Sequence, residues 1–318
     1  MRNTRYRFLV LLSSLLMLTG CSRRDILDDY PVSGVDIKLD WNGVTDKLPE
    51  GVRVIFYPKS AEGRKIDTYL SVRGGKVKVP PGRYSVVAYN YDTETVQIRG
   101  EEAYETIEAF TGYCNGLGIA GTEKMVWGPD PLYVVQINDL HIANSEEELL
   151  LDWKPKLVVK TYSFKIKVEG LEYVSSIVGS VEGMAGCYCL GRCCGMMNDA
   201  PIYFEAQGCS GEVTGSFTAF GLPEGAMSRA SLAIKFTLAF VKVDNTVQKI
   251  EVDITDVIVN SESGEGGGND EPSKDIELPL DDDEVKVDKP ENSSGGDGGI
   301  GGDVGDWGEE EEVPLPVI

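Results

Sequence analysis

Four of the seven cysteines are crowded into eight consecutive residues, and their thiols are the groups of this chain best suited to chemistry. One pair is separated by a single residue and the other pair is adjacent, whereas zinc sites typically space paired thiols by two to four residues. Disulfides are a second use of such thiols outside the cytoplasm. Three uses of the six thiols stay open: free buried thiols, one or two disulfides, and a metal site. We predict that the chain binds no metal and no cofactor. The residues concerned are Cys114, Cys187, Cys189, Cys193, Cys194 and Cys209.

Other patterns that could support catalysis are weak. His141 is the only histidine, so any Ser-His or Cys-His nucleophile would depend on it. Its apolar flanks favour a structural or surface role. Residues 116–121 read Gly-Leu-Gly-Ile-Ala-Gly, but a dinucleotide site needs a helix directly after such a loop, and Gly128-Pro129 prevents one. A pair of catalytic carboxylates on distant strands would leave no local signature. We therefore predict no catalytic residue and no enzyme.

A different cysteine, Cys21, closes an N-terminal export segment over residues 1–20. Three arginines precede an apolar run over residues 8–18, which is typical of a signal peptide and too short to span a bilayer, since that takes roughly 20 residues. The sequence Leu18-Thr19-Gly20-Cys21 resembles the lipobox of bacterial lipoproteins. The resemblance implies cleavage before Cys21, a diacylglycerol (palmitate-type) group on its sulfur and acylation of the new amino terminus. Two or more acyl chains make a stable membrane anchor.

The residues after Cys21 suggest which membrane surface carries the anchor. Ser22 follows directly, so nothing resembles an inner-membrane retention signal, and residues 23–29 form a short charged cluster. This cluster is similar to the surface-export signals of Bacteroidetes lipoproteins, with a solvated linker over residues 21–34 as the alternative. We expect an outer-membrane lipoprotein that faces the cell exterior.

The charge of the chain excludes one class of partner. With 52 acidic and 30 basic residues the net charge is −22, and residues 260–318 alone carry 19 acidic residues against three lysines. No basic footprint of the kind that nucleic acids require is visible. Residues 291–318 are so rich in Gly, Asp and Glu that they cannot bury enough apolar surface to order themselves, and we predict a disordered tail.

Between these ends the hydrophobic pattern has a period of two, which predicts β-strands. Short strands at intervals of about ten residues, separated by Gly/Pro turns, indicate β-sandwiches. We predict two of them, over residues 35–152 and 153–290. Residues 174–184 fit either a strand or a helical turn. The predicted strands are 35–41, 52–58, 77–79, 84–90, 96–98, 133–137, 157–168, 202–206, 212–220, 230–243 and 248–254, with edge strands near 276–280 and 285–287.

The second block contains the most specific sequence. A strand ending in Val168-Glu169-Gly170-Leu171 precedes Gly183-Met184-Ala185, and earlier Pro81-Gly82 and Pro129-Asp130-Pro131 each introduce an apolar strand. In this order, together with the lipobox, the motifs resemble the fimbrillin-associated anchor lipoproteins of Bacteroidales, a superfamily that includes a related domain of unknown function. The resemblance covers residues 18–258.

The resemblance implies an all-β fold of two tandem transthyretin-like sandwiches and a role in adhesion at the outer membrane. We expect a fimbrial anchor or accessory subunit that binds fimbrillin subunits through β-sheet edges. Binding through a sheet edge uses backbone hydrogen bonds for affinity and alternate side-chain pockets for specificity. The alternative is a surface lipoprotein that binds a glycan or a protein without a pilus.

Overall fold

The computed structural model describes residues 33–44, 47–114, 124–145, 147–197, 200–226, 232–263, 273–279 and 285–290. The lipidation prediction at Cys21, the glycine-rich loop at 116–121 and the acidic tail lie outside these ranges. Within them the chain is mostly β-strand, and the predicted all-β class is confirmed. Across the part of the chain that the structure describes, no helix is both long and apolar enough to cross a bilayer.

The strands are short and follow one another through tight turns. The first twelve are β1 Ser33–Leu39, β2 Gly51–Pro58, β3 Ile66–Ser71, β4 Gly74–Val79, β5 Gly82–Asn90, β6 Val96–Arg99, β7 Glu108–Thr111, β8 Tyr113–Cys114, β9 Met125–Trp127, β10 Tyr133–Ile142, β11 Leu149–Trp153 and β12 Lys156–Leu157. The remainder are β13 Lys160–Glu169, β14 Val174–Glu182, β15 Ala185–Cys189, β16 Cys194–Met197, β17 Ile202–Cys209, β18 Glu212–Ala219, β19 Lys235–Lys242, β20 Val247–Asp253, β21 Ser273–Asp275 and β22 Val285–Lys286. Helix α1 spans Thr255–Ser263.

The first sheet has eight strands in the order β11-β1-β4-β3-β2-β5-β10-β12. Its core contains alternate residues of these strands, such as Val35 and Ile37 on β1 and Val54 and Phe56 on β2, all fully buried. This alternation is the period of two that predicted the strands. The outermost strand β11 pairs in parallel with β1, the first strand of the chain. The local hydrophobic pattern does not reveal this pairing between distant strands.

The second sheet has the order β20-β19-β14-β17-β18-β13-β21 around an aromatic core. The rings of Phe164, Phe204 and Phe236 lie 5.0–5.7 Å apart, centroid to centroid. Gly179 and Gly215 make room for them, because a Cβ atom there would lie 2.1 Å from the Phe204 ring and 2.6 Å from the Phe164 ring. The sheet therefore curls around rings that need glycine beside them.

A third sheet, in the order β16-β15-β7-β6, joins the two halves of the chain. Strand β15 pairs antiparallel with β7, with Cys187 opposite Phe110. The first half also contributes a strand to the second sheet. Its strand β9 pairs in parallel with β17, with Val126 opposite Ile202. We call residues 185–197, which form β15, the turn and β16, the bridging hairpin. Each half thus supplies strands to the other, and the predicted boundary between 152 and 153 stays a prediction.

The bridging hairpin also fills a hydrophobic cluster that we call the shared core. Leu190 and Tyr188 of the hairpin pack there with Ile55 and Val87 of the first sheet and Phe220 of the second half. The amide of Leu190 donates to the carbonyl of Ile107, at 3.0 Å. The two halves are therefore joined both by backbone hydrogen bonds and by buried apolar surface.

Several elements differ from the sequence-based prediction. Residues 174–182 are a strand, and only Leu171–Tyr173 make a helical turn. The helix α1 was not predicted; the Oγ1 of Thr255 accepts from the Ile234 amide at 2.8 Å, and Ile258 is fully buried, so tertiary contacts stabilise it. The short strands β7, β8, β9, β15 and β16 were also missed, since two to five residues show no clear period.

Candidate partner-binding edge

The groups that suggested chemistry in the sequence lie in separate places. His141 is exposed on β10 opposite Arg83, whose guanidinium pairs with Asp139. This contact lowers the pKa of the Asp139 carboxyl. The setting is an ion-paired surface of the first sheet, far along the strand from the shared core.

The six cysteines of the described ranges are all thiols in the structure. Among the described residues, no group of three or more His, Cys, Asp or Glu side chains is arranged to hold a metal ion. Four of these thiols lie on the bridging hairpin. Cys114 is buried under the second sheet, and Cys209 is exposed at its far turn.

Three tryptophans, a residue type that can stack on sugar rings, also differ in setting. Trp153 is buried, and Trp41 donates from its indole N–H to the carbonyl of Val72, at 2.6 Å. Only Trp127 is substantially exposed, at 45%, and its ring meets Tyr203 edge-on at 5.5 Å. The first two are therefore packing residues.

The feature best suited to a binding role is the way the second sheet is closed. The outer side of β13 is paired by the last described part of the chain, residues 273–279 and 285–290, which we call the closing segment. It runs parallel to β13: β21 pairs with residues 161–163 and β22 with Val168 and Glu169. Backbone amides extend this pairing, from Ile276 to the Ser163 carbonyl at 2.8 Å and from Val287 to the Glu169 carbonyl at 2.9 Å.

The closing segment completes the hydrophobic core. Ile276, Leu278 and Val287 are 1–7% exposed and pack in the same cluster as Phe164. The edge strand predicted at residues 285–287 corresponds to β22, whereas the one predicted at 276–280 is misplaced, since β21 spans Ser273–Asp275 directly before it. Without this segment the apolar side of β13 would face water.

On its other side the closing segment reaches β20, the opposite edge of the sheet. The side-chain amide of Gln248 donates to the Lys286 carbonyl at 2.7 Å, and the Asp288 amide donates to the Gln248 Oε1 at 3.0 Å. The side-chain amide of Gln248 thus makes one donor and one acceptor hydrogen bond to the closing segment, as a paired backbone residue would. The sheet therefore curls nearly into a closed barrel, with a side chain making the last connection.

The other end of the gap between β13 and β20 is covered by α1. Tyr162 on β13 donates from its hydroxyl to the Glu262 carboxylate at 2.8 Å, and Lys160 forms an ion pair with the same carboxylate. Burial, and the negative charge of Glu262, raise the pKa of the Tyr162 hydroxyl. The helix is thus fastened to β13 through a carboxylate that is largely buried.

The pairing of the closing segment is short. Five residues of β13 have a strand partner in it, whereas eight consecutive residues of β13 pair with β18 on the other side. Parallel pairing is also slightly weaker per residue than antiparallel pairing, and Pro279 and Pro290 supply no amide donor. A groove of about 780 Å³ adjoins this segment at the end of β13, between Gly170, Gly211 and Lys286. The closing segment is thus held to β13 by fewer strand pairs than β18 is.

The position of the closing segment relative to the start of the chain follows from the strand directions. Four successive antiparallel pairings lead from β1 to β5, so Gly82 lies at the Ser33 end of the first sheet and Asn90 at the other. The second half leaves from that other end, beside Tyr133, where β12 pairs with β10. Strand β13 then runs for ten residues, about 30 Å at the usual rise, to Glu169. The closing segment follows this whole length, with β21 beside the start of β13 and β22 beside its end.

Comparison with known proteins gives a consistent picture. Residues 20–205 match the family model described as a domain of unknown function, DUF5119. A protein of Bacteroides ovatus that is named as a fimbrium anchoring subunit, Fim4B, is 60% identical over 334 residues, which covers all of both chains.

Solved structures agree on the fold. A crystal structure from Bacteroides ovatus described as an adhesin is 57% identical, with a TM-score of 0.71, and covers 86% of this chain and 98% of its own. A protein of Bacteroides thetaiotaomicron described as polysaccharide-binding is 10% identical with a TM-score of 0.50, over 77% of this chain and 89% of its own, and shares the fold only.

Proposed function

The chain belongs to the family of the domain of unknown function DUF5119, and we propose that it is a lipid-anchored fimbrial subunit that holds its partner through the edge closed by residues 273–290. Its predicted relationship to fimbrial anchors is confirmed by the relative of 60% identity. That identity over the full length of both chains is the observation that carries the proposal. The relatives indicate a cell-envelope protein with a structural role.

Membrane attachment in this proposal comes from acylated Cys21 at the outer membrane, facing the cell exterior. Eleven residues separate Cys21 from Ser33, where β1 begins. In this proposal they tether the first sheet to the membrane, and the closing segment on the second sheet is accessible to a partner subunit.

The partner contact in this proposal is exchange of the closing segment. A strand from a fimbrillin subunit displaces it from β13 and adds its own backbone hydrogen bonds, which is β-augmentation. The incoming strand places alternate side chains into the positions of Ile276, Leu278 and Val287 in the core. This is favourable because a longer strand pairs with more of β13 than the resident five residues do.

Affinity capture of the full-length protein from its own cells in mild detergent, followed by mass spectrometry, tests the role. We expect secreted β-rich subunits to be recovered with it. Recovery of the protein alone, or with a glycan transporter, would contradict the fimbrial role and favour the glycan- or protein-binding alternative. In the same cells Cys21→Ala should release the protein from the membrane fraction, and continued membrane association would contradict the lipid anchor.

Locking the closing segment tests the edge separately. Val168 and Val285 are opposite each other in the parallel pairing, so Val168→Cys with Val285→Cys can link the segment to β13. The linked protein should recover far less partner, and reduction should restore the yield, while each single variant behaves like the unmodified protein. Undiminished capture by the linked protein would show that the partner binds elsewhere, and would leave the anchoring role standing.

A further inference from the structure

The turn of the bridging hairpin brings two cysteines face to face. In the antiparallel pairing of β15 with β16, Cys189 is directly opposite Cys194, as the last pair before the four-residue turn 190–193. Side chains of directly opposed residues lie on the same face of the sheet, with their Cβ atoms about 4.5–5.5 Å apart. A disulfide needs a Cβ separation of about 3.5–4.5 Å, so a small adjustment suffices.

The other combinations on the hairpin fit less well. Cys187 is opposite Met196, and it lies two residues from Cys189 along the same strand, which places their Cβ atoms about 6.6 Å apart. Cys193 has a left-handed backbone with φ of 52°, and its Sγ lies 3.7 Å from the Leu190 carbonyl in its own turn. The register therefore selects Cys189 and Cys194.

The two sulfurs differ in their contacts and in their exposure. The Arg192 Nε lies 3.5 Å from the Cys189 Sγ. The Cys194 thiol donates to a Glu224 carboxylate oxygen, with the Sγ at 3.4 Å, and burial together with this hydrogen bond raises the pKa of the thiol to about 11. Cys194 is partly exposed, whereas Cys189 is 2% exposed. An external reagent thus reaches Cys194 first, and Cys189 is the internal thiol behind it.

From this geometry we infer that Cys189 and Cys194 are joined by a disulfide in the exported protein. The oxidant is the disulfide of an envelope thiol–disulfide oxidoreductase. The Cys194 thiolate attacks that disulfide, which releases one oxidoreductase thiolate and leaves a mixed disulfide. The Cys189 thiolate then attacks the Cys194 sulfur and releases the second one. The two thiolates take up the two protons, so one disulfide is reduced to a dithiol as the new one forms.

The disulfide would stiffen the turn of the hairpin, and this consequence does not rest on the proposed anchoring role. The disulfide closes the turn that carries Leu190 and Gly191, and the carbonyl of Gly191 accepts from the Gln136 side chain at 3.1 Å. Fastening this turn stabilises the contact between the two halves.

The test uses the position of Arg192 between the two cysteines. Thiols in intact cells are blocked with an alkylating reagent under acid conditions, and the purified protein is digested with trypsin without reductant. Cleavage after Lys167, Arg192 and Arg229 separates residues 168–192 from residues 193–229. We expect these two peptides to be recovered joined, and to separate on reduction.

Serine variants identify the linked atoms. Cys189→Ser and Cys194→Ser should each abolish the joined peptides, while the matched controls Cys187→Ser, Cys193→Ser and Cys209→Ser should retain them. Recovery of both residues as alkylated thiols, or joined peptides that survive Cys189→Ser or Cys194→Ser, would overturn the assignment. If a variant is not exported, fragmentation of the joined peptides from the unmodified protein locates the link directly.

Discussion

The bridging hairpin and the closing segment both complete a sheet with residues from a distant part of the chain, but they are held very differently. The hairpin pairs antiparallel with β7 and places Leu190 and Tyr188 in the shared core. The closing segment pairs in parallel over five residues and makes its last connection through one side chain, Gln248. The first contact is suited to permanent union of the two halves, and the second to exchange with a partner.

The largest effect should come from the hairpin. Leu190→Ala removes a fully buried side chain from the shared core and should cost about 2–5 kcal/mol. Since both halves contribute to that core, they should unfold together in a single transition, at a lower urea concentration than the unmodified protein requires. Circular dichroism and fluorescence measure this transition. The exposed Leu150 provides the control, because Leu150→Ala should change stability by no more than about 0.5 kcal/mol. Two separate transitions in the variant would show that the halves are independent.

A charge in the closing segment should open that segment alone. Val287 is 1% exposed, so Val287→Asp would bury a carboxylate unless the segment leaves the sheet. We expect rapid tryptic cleavage at Lys286, with β13 and β20 still protected in hydrogen exchange. The exposed Asp288→Asn is the matched control and should be cleaved slowly. Simultaneous loss of protection throughout the second sheet would contradict a separately held segment.

Alkaline pH should weaken the hairpin and the contact between α1 and β13. Burial raises the pKa of the Tyr188 hydroxyl in the hairpin and of the Tyr162 hydroxyl beneath α1 above the ordinary value of 10.0. Because the unfolded tyrosines ionise first, this stability is fully present below pH 10 and is lost as the pH rises above it. Thermal melting between pH 8 and 11 should show the decline, and Tyr188→Phe and Tyr162→Phe should each make it shallower. An unchanged slope in both variants would refute the assignment.

The smallest effect is expected at the side-chain connection. Gln248→Ala removes two partly exposed hydrogen bonds and should cost about 1 kcal/mol. The amide of Asp288 should then exchange faster by about fivefold, while that of Ile276, bonded to Ser163, is unaffected. Gln248→Glu keeps the acceptor for Asp288 but loses the donor to Lys286, so its effect should be intermediate. Equal acceleration at both amides would mean that the segment opens as one unit.

Some of this organisation is readable from the residues themselves. The alternation in residues 35–41 and 52–58 predicted β1 and β2 to within two residues, because a half-buried strand must alternate. The apolar residues near 276–280 and 285–287 likewise indicated edge strands, and the closing segment lies there. The order of the family motifs led to the fimbrial anchor family, which the relative of 60% identity confirms.

The sequence by itself therefore determined the all-β class, the longer strands and the family, since these depend on local periodicity and on ordered motifs. Only the tertiary structure decided which strands meet. The opposition of Cys189 and Cys194, the pairing of Cys187 with Phe110, and the bonds of Gln248 to the closing segment are set by strand register and by contacts between distant residues. The strands involved contain two to seven residues, and most are too short to reveal a period, so their partners are selected by the cores they jointly fill.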